Sequence, residues 1–464
     1  MSRLRFLIFI LLVPFASQSQ QVKITGTAPG AEGKRIEVIT YSDLITFQEK
    51  TIAGSLVDST GNFTLTFNLE QTVYANLSID FHRVDLFIQP SRSYNINIAP
   101  MNYNEMKEIN PFLQSAKLEI AFAKDDPSEL NSLIRAFDSL YNGFLLQNFN
   151  ALYRDRNKSK LDSFRMKVVT TFYVAKDPYF VNYGKYKIAS LVQLCQSMNQ
   201  AEIGKMYFAN APVLYENVEY MDFFNQYFSR YITATCRSLK FTDYNTILNG
   251  QEGYKRMMKA LEADSTLKKI QLRELVMIKG LMEMYHTTGY NQEKIIALLG
   301  SVTDESKFPE NKQVARNMIR VLTKLRVGSA APGFKLKDKM QKEVTLADFK
   351  GKPVVLNFWT TYCQGCITEM DRMKPIYDKF RDQVSFISIS ADKDFSKMLF
   401  FVNLKSDFVW NFLHIGDDHN LLKEYDVKSY PLFVLIDKDG NIVQYPAELP
   451  GSGLELSITK LVSP

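Results

Sequence analysis

Two cysteines and one acidic residue in the last third of the chain have the spacing of a redox site. Cys363 and Cys366 are separated by two residues, and Glu369 follows three positions later. An apolar run from Val354 to Trp359 precedes the pair, and apolar residues at helical spacing follow it. This pattern predicts a buried strand that delivers the dithiol to the first turn of a helix, where unpaired N–H groups favour a thiolate. Such a thiolate suits disulfide exchange.

Zinc binding is the main alternative chemistry for a close cysteine pair. A structural zinc site needs four ligands, and neither a second close cysteine pair nor a close histidine pair accompanies Cys363 and Cys366. We therefore expect no metal and no cofactor, and structural roles for the four histidines (His82, His286, His414 and His419). The other cysteines, Cys195 and Cys236, lie on apolar helical stripes, where a disulfide and two buried thiols both fit the pattern.

The N-terminus has the pattern of an export signal. Arg3 and Arg5 precede an apolar run from Phe6 to Phe15, and small and polar residues follow it. This pattern predicts a signal peptide over residues 1–19, with no stable membrane anchor after its cleavage. An uncleaved membrane anchor is the alternative. In an oxidising compartment, four cysteines do not make a disulfide-stapled scaffold, so the close pair calls for a functional explanation.

Length and composition indicate several folded domains. The chain has 464 residues, of which 46% are hydrophobic and 23% are charged. The net charge of +6 would suit an anionic partner, but the basic residues are scattered among acidic ones and no basic run is interleaved with aromatic residues. We therefore expect no nucleic-acid partner.

Residues 20–326 divide into a β region and a helical region. Apolar residues alternate with polar ones up to residue 100, as from Phe63 to Leu69, which predicts an antiparallel β-sandwich of about seven strands over 20–100. A poorly patterned segment follows, and apolar residues then recur at helical spacing, which predicts an all-helical region over 101–326. The pairs Asp126-Pro127 and Asp177-Pro178 predict helices that begin with aspartate at the N-cap.

A segment rich in glycine and proline, from Val327 to Phe334, marks the start of a third region, 327–464. Beyond it, strands and helices alternate, which produces a central sheet covered by helices on both faces. The sequence thus predicts a multidomain protein with an N-terminal β-sandwich, an all-helical middle region and a C-terminal α/β domain. The predicted C-terminal strands are 354–359, 384–390, 408–414, 432–437 and 442–445, and helices are predicted at 395–404 and 420–425.

Several motifs follow one another in this C-terminal region. Ala331-Pro332-Gly333-Phe334 stands at its entry, Phe349-Lys350-Gly351-Lys352-Pro353 precedes the first core strand, and Asn357-Phe358-Trp359 leads to the cysteine pair. Tyr430-Pro431 precedes a later apolar strand. Together with the cysteines and Glu369, these motifs resemble the TlpA/ResA-like extracytoplasmic thiol–disulfide oxidoreductases, a thioredoxin-fold group related to the AhpC/TSA proteins. The regions ahead of them resemble the N-terminal parts of secreted TlpA-like proteins of Bacteroidota, which implies no mechanism.

The resemblance implies a role for each site residue. Cys363 is the expected nucleophile, and Cys366, set deeper, is the expected resolving thiol. Glu369 is the expected proton acceptor for Cys366, since Asn357 stands where cytoplasmic thioredoxins carry a buried acid. The Tyr430-Pro431 bond is expected to be cis and to present backbone groups to substrate beside Cys363. A solvated first-turn acid and a trans proline at a strand entrance are the structural alternatives.

Residues next to the dithiol depart from the usual pattern of the family. Tyr362 replaces a tryptophan, Gln364-Gly365 lacks a proline, and Asp371 replaces a proline in the following helix. These positions bear on redox potential and docking in this fold, so the potential is not carried over. The predicted substrate-binding set comprises Tyr430-Pro431, Tyr362 and Trp359, and Trp359 is also expected to pack beneath the site.

The sequence predicts an exported, periplasmic oxidoreductase that reduces or isomerises disulfides of exported proteins through Cys363 and Cys366. As in the family, its electrons would come from a membrane donor. A thiol peroxidase is an alternative of the same class, but its pattern Pro-x-x-x-Thr-x-x-Cys is incomplete, because Thr360 matches while Leu356 replaces the proline. A non-catalytic protein that binds partners is an alternative of a different class, because most of the chain lies outside the predicted redox domain.

Overall fold

The structure, a computed structural model, describes two compact units that divide between Val314 and Ala315. The predicted signal peptide at 1–19, Cys236 and His419 lie outside the described residues. Among the helices that are described, none is both long and apolar enough to cross a lipid bilayer. The described residues are 20–80, 82–103, 116–124, 126–235, 241–250, 252–416, 418 and 420–463.

Short strands build two sheets in the first unit. The strands are β1 (Gln20–Thr27), β2 (Arg35–Tyr41), β3 (Glu49–Leu56), β4 (Asn62–Leu69), β5 (Val73–Ile79), β6 (His82–Ile88), β7 (Ser93–Ile98), β8 (Ala116–Lys117) and β9 (Ile120–Phe122). One sheet has the order β4-β1-β7-β9, and the other has the order β3-β2-β5-β6-β8. Apolar side chains of both sheets, such as Ile24, Leu65 and Leu77, form one core.

The predicted sandwich is confirmed, with two differences. β1 runs parallel to β7 and β6 runs parallel to β8, so the sheets are mixed rather than antiparallel. In addition, β8 and β9 lie beyond residue 100, in the segment that showed no clear pattern. With two and three residues, both strands are too short for a period of two to be recognised.

The middle of the chain is helical, as predicted. Its helices are α1 (Leu130–Tyr153), α2 (Lys158–Thr171), α3 (Pro178–Leu194), α4 (Gln200–Gly204), α5 (Val218–Tyr227), α6 (Phe241–Asn249), α7 (Gly253–Leu261), α8 (Ile270–Tyr285), α9 (Gln292–Glu305) and α10 (Pro309–Thr323). Short π-helical segments occur at Lys205–Ala209 and Tyr231–Thr235. Cys195, directly after α3, is a buried free thiol.

One of the two predicted helix starts is correct. Asp177 is the N-cap of α3, and Pro178 is the first residue of that helix. The prediction for Asp126 is wrong, because its carboxylate accepts hydrogen bonds from the backbone and hydroxyl of Ser128 in a turn ahead of α1. Glu129 takes the N-cap position instead.

The second unit has a central sheet of seven strands. These are β10 (Lys335–Asp338), β11 (Glu343–Thr345), β12 (Val354–Trp359), β13 (Ser385–Ser390), β14 (Asn411–His414), β15 (Leu432–Ile436) and β16 (Ile442–Gln444). The sheet order is β11-β10-β14-β13-β12-β15-β16. The helices are α11 (Gln364–Phe380), α12 (Phe395–Leu404), α13 (Asn420–Glu424) and α14 (Leu454–Val462).

β12 lies at the centre of this unit and contributes side chains to two cores. Val355 and Trp359 pack with residues of α11 and α14 on one face of the sheet. Leu356 and Phe358 pack with residues of α13 on the other face. Burial on both faces explains why the strand is a continuous apolar run rather than an alternating one. The predicted α/β architecture with helices on both faces of the sheet is therefore confirmed.

Candidate active site

The dithiol lies where β12 passes into α11. Cys363 is the N-cap of α11, and its sulfur accepts a hydrogen bond from the Cys366 backbone N–H at 3.1 Å. The two cysteines form a disulfide, with their Cα atoms 5.2 Å apart. Cys366 is only 1% exposed, whereas Cys363 is partly exposed. The predicted strand-to-helix placement, with the first sulfur more accessible than the second, is confirmed.

Glu369 is a buried carboxylate on α11, three residues after Cys366 and 7% exposed. Its Oε1 accepts a hydrogen bond from Arg372 Nη1 at 2.7 Å, and its Oε2 accepts one from the Gly451 N–H at 2.8 Å. A Cβ at residue 451 would lie 2.4 Å from Arg372 Nη1, so glycine allows this close approach. Glu369 is therefore a fixed carboxylate and not a solvated first-turn acid. Its role as proton acceptor for Cys366 stays a prediction.

A second loop lies at the same edge of the sheet as the dithiol. The Tyr430–Pro431 peptide bond is cis, as predicted. β15 begins immediately after it at Leu432, which pairs with Phe358 in antiparallel register. The residues before Leu432 therefore lie beside the end of β12 that leads to the cysteines. Tyr430 and Cys363 also pack against the same core cluster.

Two tyrosines of the predicted substrate-binding set differ in exposure. Tyr362, directly before Cys363, is 46% exposed. Tyr430 is half-buried, and burial raises the pKa of its phenol. The nearby Tyr362 and Asp392 raise this pKa further. Tyr430 is therefore a neutral phenol at physiological pH. Binding of substrate by these tyrosines and Pro431 stays a prediction.

Trp359 does not belong in the substrate-binding set. Its side chain is 0% exposed, and its ring centroid lies 4.9 Å from that of Phe401 and 5.8 Å from that of Phe412. A side chain without accessible surface has no contact to offer a docked substrate. Trp359 packs beneath the dithiol instead, which is the second role that the sequence suggested for it.

Asn357 belongs to a buried chain of neutral polar groups. Its Oδ1 accepts a hydrogen bond from Ser388 Oγ at 2.6 Å, and Ser388 Oγ in turn accepts one from Trp410 Nε1 at 2.8 Å. Asn357 and Ser388 are at most 1% exposed. At this position of β12, the site therefore has an amide in place of an ionisable acid.

Asp392 is a buried carboxylate at the site that the sequence analysis missed. It lies just after β13, is 2% exposed, and accepts hydrogen bonds from Thr361 and Ser390. β12 and β13 are parallel, with Trp359 opposite Ser390, so the two strands end at the same edge of the sheet. One signal in the sequence could have indicated Asp392. It follows the predicted strand 384–390, and the dithiol follows the preceding predicted strand, 354–359.

The fold and the site together define a class of protein. The sheet is covered by helices on both faces, and a cysteine pair lies at a strand-to-helix junction beside a cis peptide bond at the same sheet edge. These are the features of a thioredoxin-fold thiol–disulfide oxidoreductase.

Parts of this chain are similar to known proteins. Residues 327–445 match the AhpC/TSA family. The thiol-disulfide oxidoreductase ResA of Bacillus thuringiensis subsp. konkukian is 37% identical over 122 residues, which cover 26% of this chain and 69% of that protein. ResA of Bacillus subtilis is 38% identical over 119 residues, or 25% of this chain and 65% of that protein. A solved thioredoxin domain of a thiol-disulfide oxidoreductase from Bacteroides vulgatus is 27% identical and covers 30% of this chain and 99% of the solved chain, with a TM-score of 0.28.

The chain belongs to the ResA family of thiol–disulfide oxidoreductases and is an oxidoreductase enzyme. The resemblance that the motifs indicated is therefore confirmed. The family match is confined to residues 327–445, so the β-sandwich and the helical region lie outside it.

Proposed function

We propose that the protein is exported and that it reduces or isomerises disulfides of exported proteins through Cys363 and Cys366. The observation that carries this proposal is the contrast between the two sulfurs, with Cys363 partly exposed at the N-cap of α11 and Cys366 buried. An accessible first sulfur suits attack on a substrate, and a buried second sulfur suits resolution of the adduct. The pattern at residues 1–19 supports export.

The reaction begins with the reduced enzyme. The Cys363 thiolate attacks one sulfur of the substrate disulfide, which forms a mixed disulfide and releases the other substrate sulfur as a thiolate. The Cys366 thiolate then attacks Cys363 Sγ, which releases the second substrate sulfur and forms the disulfide seen in this structure. The substrate has gained two electrons from the dithiol, and its two thiolates take up two protons, one that came from the Cys366 thiol and one from solvent. A dithiol donor in the membrane returns the enzyme to its reduced form by the same exchange.

Other residues of the site support the two steps. Resolution requires the buried Cys366 thiol to lose its proton, and Glu369, three residues along the same helix, is the proposed acceptor. Docking requires an exposed surface beside Cys363, which Tyr362 and the Tyr430–Pro431 loop offer. An extended substrate segment along that loop would place its disulfide at Cys363.

The experiment that tests the proposal is trapping with Cys366→Ser. This variant is expected to attack substrate disulfides but not to resolve them, so mixed disulfides through Cys363 accumulate and are identified by mass spectrometry after non-reducing separation. Cys195→Ala is the matched control, because it removes a buried cysteine of the first unit. If Cys366→Ser traps nothing and the wild type exchanges with no disulfide, the proposal fails. Faster reaction of the wild type with peroxide than with disulfides would favour the thiol peroxidase.

The first unit supports a second candidate function, which is binding of a partner protein. This unit has its own β core and its own helices, and it lies outside the matched residues 327–445. Removal of the chain up to residue 327 tests this function. Full exchange by the remaining domain, together with capture of the same partners by the first unit alone, would make binding a separate function. Loss of exchange would indicate one integrated enzyme.

A further inference from the structure

The turn that connects β12 to α11 is held from the neighbouring strand. Thr361 lies in this turn, two residues before Cys363, and donates hydrogen bonds to the Asp392 carboxylate from its N–H at 3.0 Å and its hydroxyl at 2.7 Å. The Thr361 N–H also lies 3.1 Å from the second carboxylate oxygen. Every one of these contacts has the carboxylate as acceptor, which makes them charge-assisted and stronger than bonds to a neutral acceptor.

Asp392 is itself fixed. The Ser390 hydroxyl donates to Asp392 Oδ2 at 2.6 Å and accepts from the Asp392 N–H at 3.2 Å. Ser390 is 0% exposed and ends β13, which pairs with β12 along its whole length. Because these bonds form away from water, breaking them leaves buried polar groups without partners. The carboxylate is therefore a rigid anchor.

The anchor constrains the position of Cys363. Two residues of chain span at most about 7 Å, so a displacement of Thr361 is passed on to Cys363. The Cys363 N–H also donates to the Thr360 carbonyl at 3.2 Å, which closes the turn on itself. Asp392 lies near enough to Tyr430 to act on it electrostatically. Asp392 thus bonds to the turn that carries the nucleophile and lies near Tyr430, the residue that precedes Pro431.

We propose that Asp392 is a positioning residue that holds residues 360–363 so that Cys363 Sγ faces a disulfide in a chain docked along Tyr430 and Pro431. This inference rests on the proposed role of Cys363 as the attacking thiol. With Asp392, which follows β13, the site comprises a fourth residue beside Cys363, Cys366 and Glu369. Substrates that dock as extended chains depend on Asp392, whereas small reagents that reach Cys363 by diffusion do not.

The test compares two reactions of the reduced full-length protein. One is exchange with a disulfide between two peptides, and the other is alkylation of Cys363 by iodoacetamide. Asp392→Ala is expected to slow peptide exchange by about 10-fold to 100-fold, because reacting atoms misplaced by an ångström lose that much rate. Alkylation is expected to stay near the wild-type rate.

Two further variants separate positioning from stability. Asp392→Asn is expected to restore most of the exchange rate, because its amide oxygen still accepts from Thr361 and its size is the same. Asp394→Ala is the matched control: Asp394 lies in the same loop, is exposed, and caps α12 through the Ser396 N–H. This control is expected to leave both reactions at their wild-type rates.

Unchanged peptide exchange in Asp392→Ala would overturn the inference. An equal loss of both reactions would overturn it too, because Asp392 would then act through the stability of the domain. A rate in Asp392→Asn as low as in Asp392→Ala would show that the hydrogen bonds to Thr361 are not the cause. If the wild type exchanges with no disulfide, the proposed function fails, and that result is distinct from a loss confined to the variants.

Discussion

Two buried carboxylates flank the dithiol, and they differ in their partners. Glu369, on the helix side, pairs with the guanidinium of Arg372, whose side chain is 57% exposed. Asp392, on the strand side, is bonded to neutral groups of Thr361 and Ser390, and within the described chain it forms no ion pair. The Glu369 carboxylate is therefore paired with a largely exposed cation, whereas the Asp392 carboxylate is enclosed.

This difference suits two different tasks. A carboxylate three residues from Cys366 on the same helix suits the proposed role of proton acceptor. A carboxylate fixed by several donors away from water is better suited to hold geometry, because moving it costs several hydrogen bonds at once. Substitution of Glu369 should therefore affect mainly resolution of the mixed disulfide, and substitution of Asp392 mainly stability and docking.

The largest expected effect is on resolution of the mixed disulfide. Glu369→Gln is expected to slow this step by about 10²-fold, because the amide cannot accept the proton of Cys366. Decay of a preformed mixed disulfide at Cys363, followed in a single turnover, measures it. Arg372→Gln is the control, since it keeps the carboxylate and removes only the ion pair, and its effect should be smaller. Resolution at the wild-type rate in Glu369→Gln would assign the proton to another acceptor.

An intermediate effect is expected on the free energy of unfolding. Here substitution of Asp392 should have the larger effect and substitution of Glu369 the smaller one. Asp392→Ala leaves the Ser390 hydroxyl buried without its acceptor, at a cost of about 1–3 kcal/mol. Glu369→Ala leaves the guanidinium of Arg372 and the N–H of Gly451 without their acceptor, but both belong to exposed residues that water can solvate, so its cost should be lower.

Tryptophan fluorescence in urea measures this difference in the second unit alone. Both tryptophans of the chain, Trp359 and Trp410, lie in that unit. The midpoint of unfolding should fall further for Asp392→Ala than for Glu369→Ala. Equal shifts would remove the distinction between a carboxylate that is bonded to neutral groups and one that is paired with an exposed cation.

The smallest effect is expected from Gly451→Ala. The added Cβ would lie 2.4 Å from Arg372 Nη1, but this side chain is largely exposed and can turn away, so stability should change by only about 0–1 kcal/mol. Glu369 would then lose its cation, and resolution should slow as in Arg372→Gln. A loss as large as that of Glu369→Gln would instead show that Gly451 positions the carboxylate itself.

The sequence predicted the elements with strong patterns. The strand Val354–Trp359 and the helix Phe395–Leu404 have the predicted bounds, because long apolar runs and helical stripes are local signals. β10 and β11 were not predicted, since Lys335–Asp338 alternates charged residues with one leucine and Glu343–Thr345 has only three residues. Their strand structure depends on tertiary pairing, of β11 with β10 and of β10 with β14.

Side-chain partners were harder to predict than elements. Asp126 and Asp177 have the same Asp-Pro context, yet only Asp177 caps a helix, because Ser128 competes for the Asp126 carboxylate. Trp359 was assigned to substrate, although the rings of Phe401 and Phe412 enclose it. Each outcome depends on neighbours that a single-sequence pattern does not specify.

The sequence by itself determined the chemistry of this protein: a Cys363-x-x-Cys366 pair after an apolar strand, with Glu369 one turn along the helix and a proline ahead of a later strand. Those features are local, and local spacing fixes them. Only the tertiary structure decided which distant groups complete the site. Parallel pairing of β12 with β13 brings Asp392 to Thr361, and the chain ahead of α14 brings the Gly451 N–H to Glu369. Contacts over such separations in sequence arise from sheet register and helix packing, which no local pattern encodes.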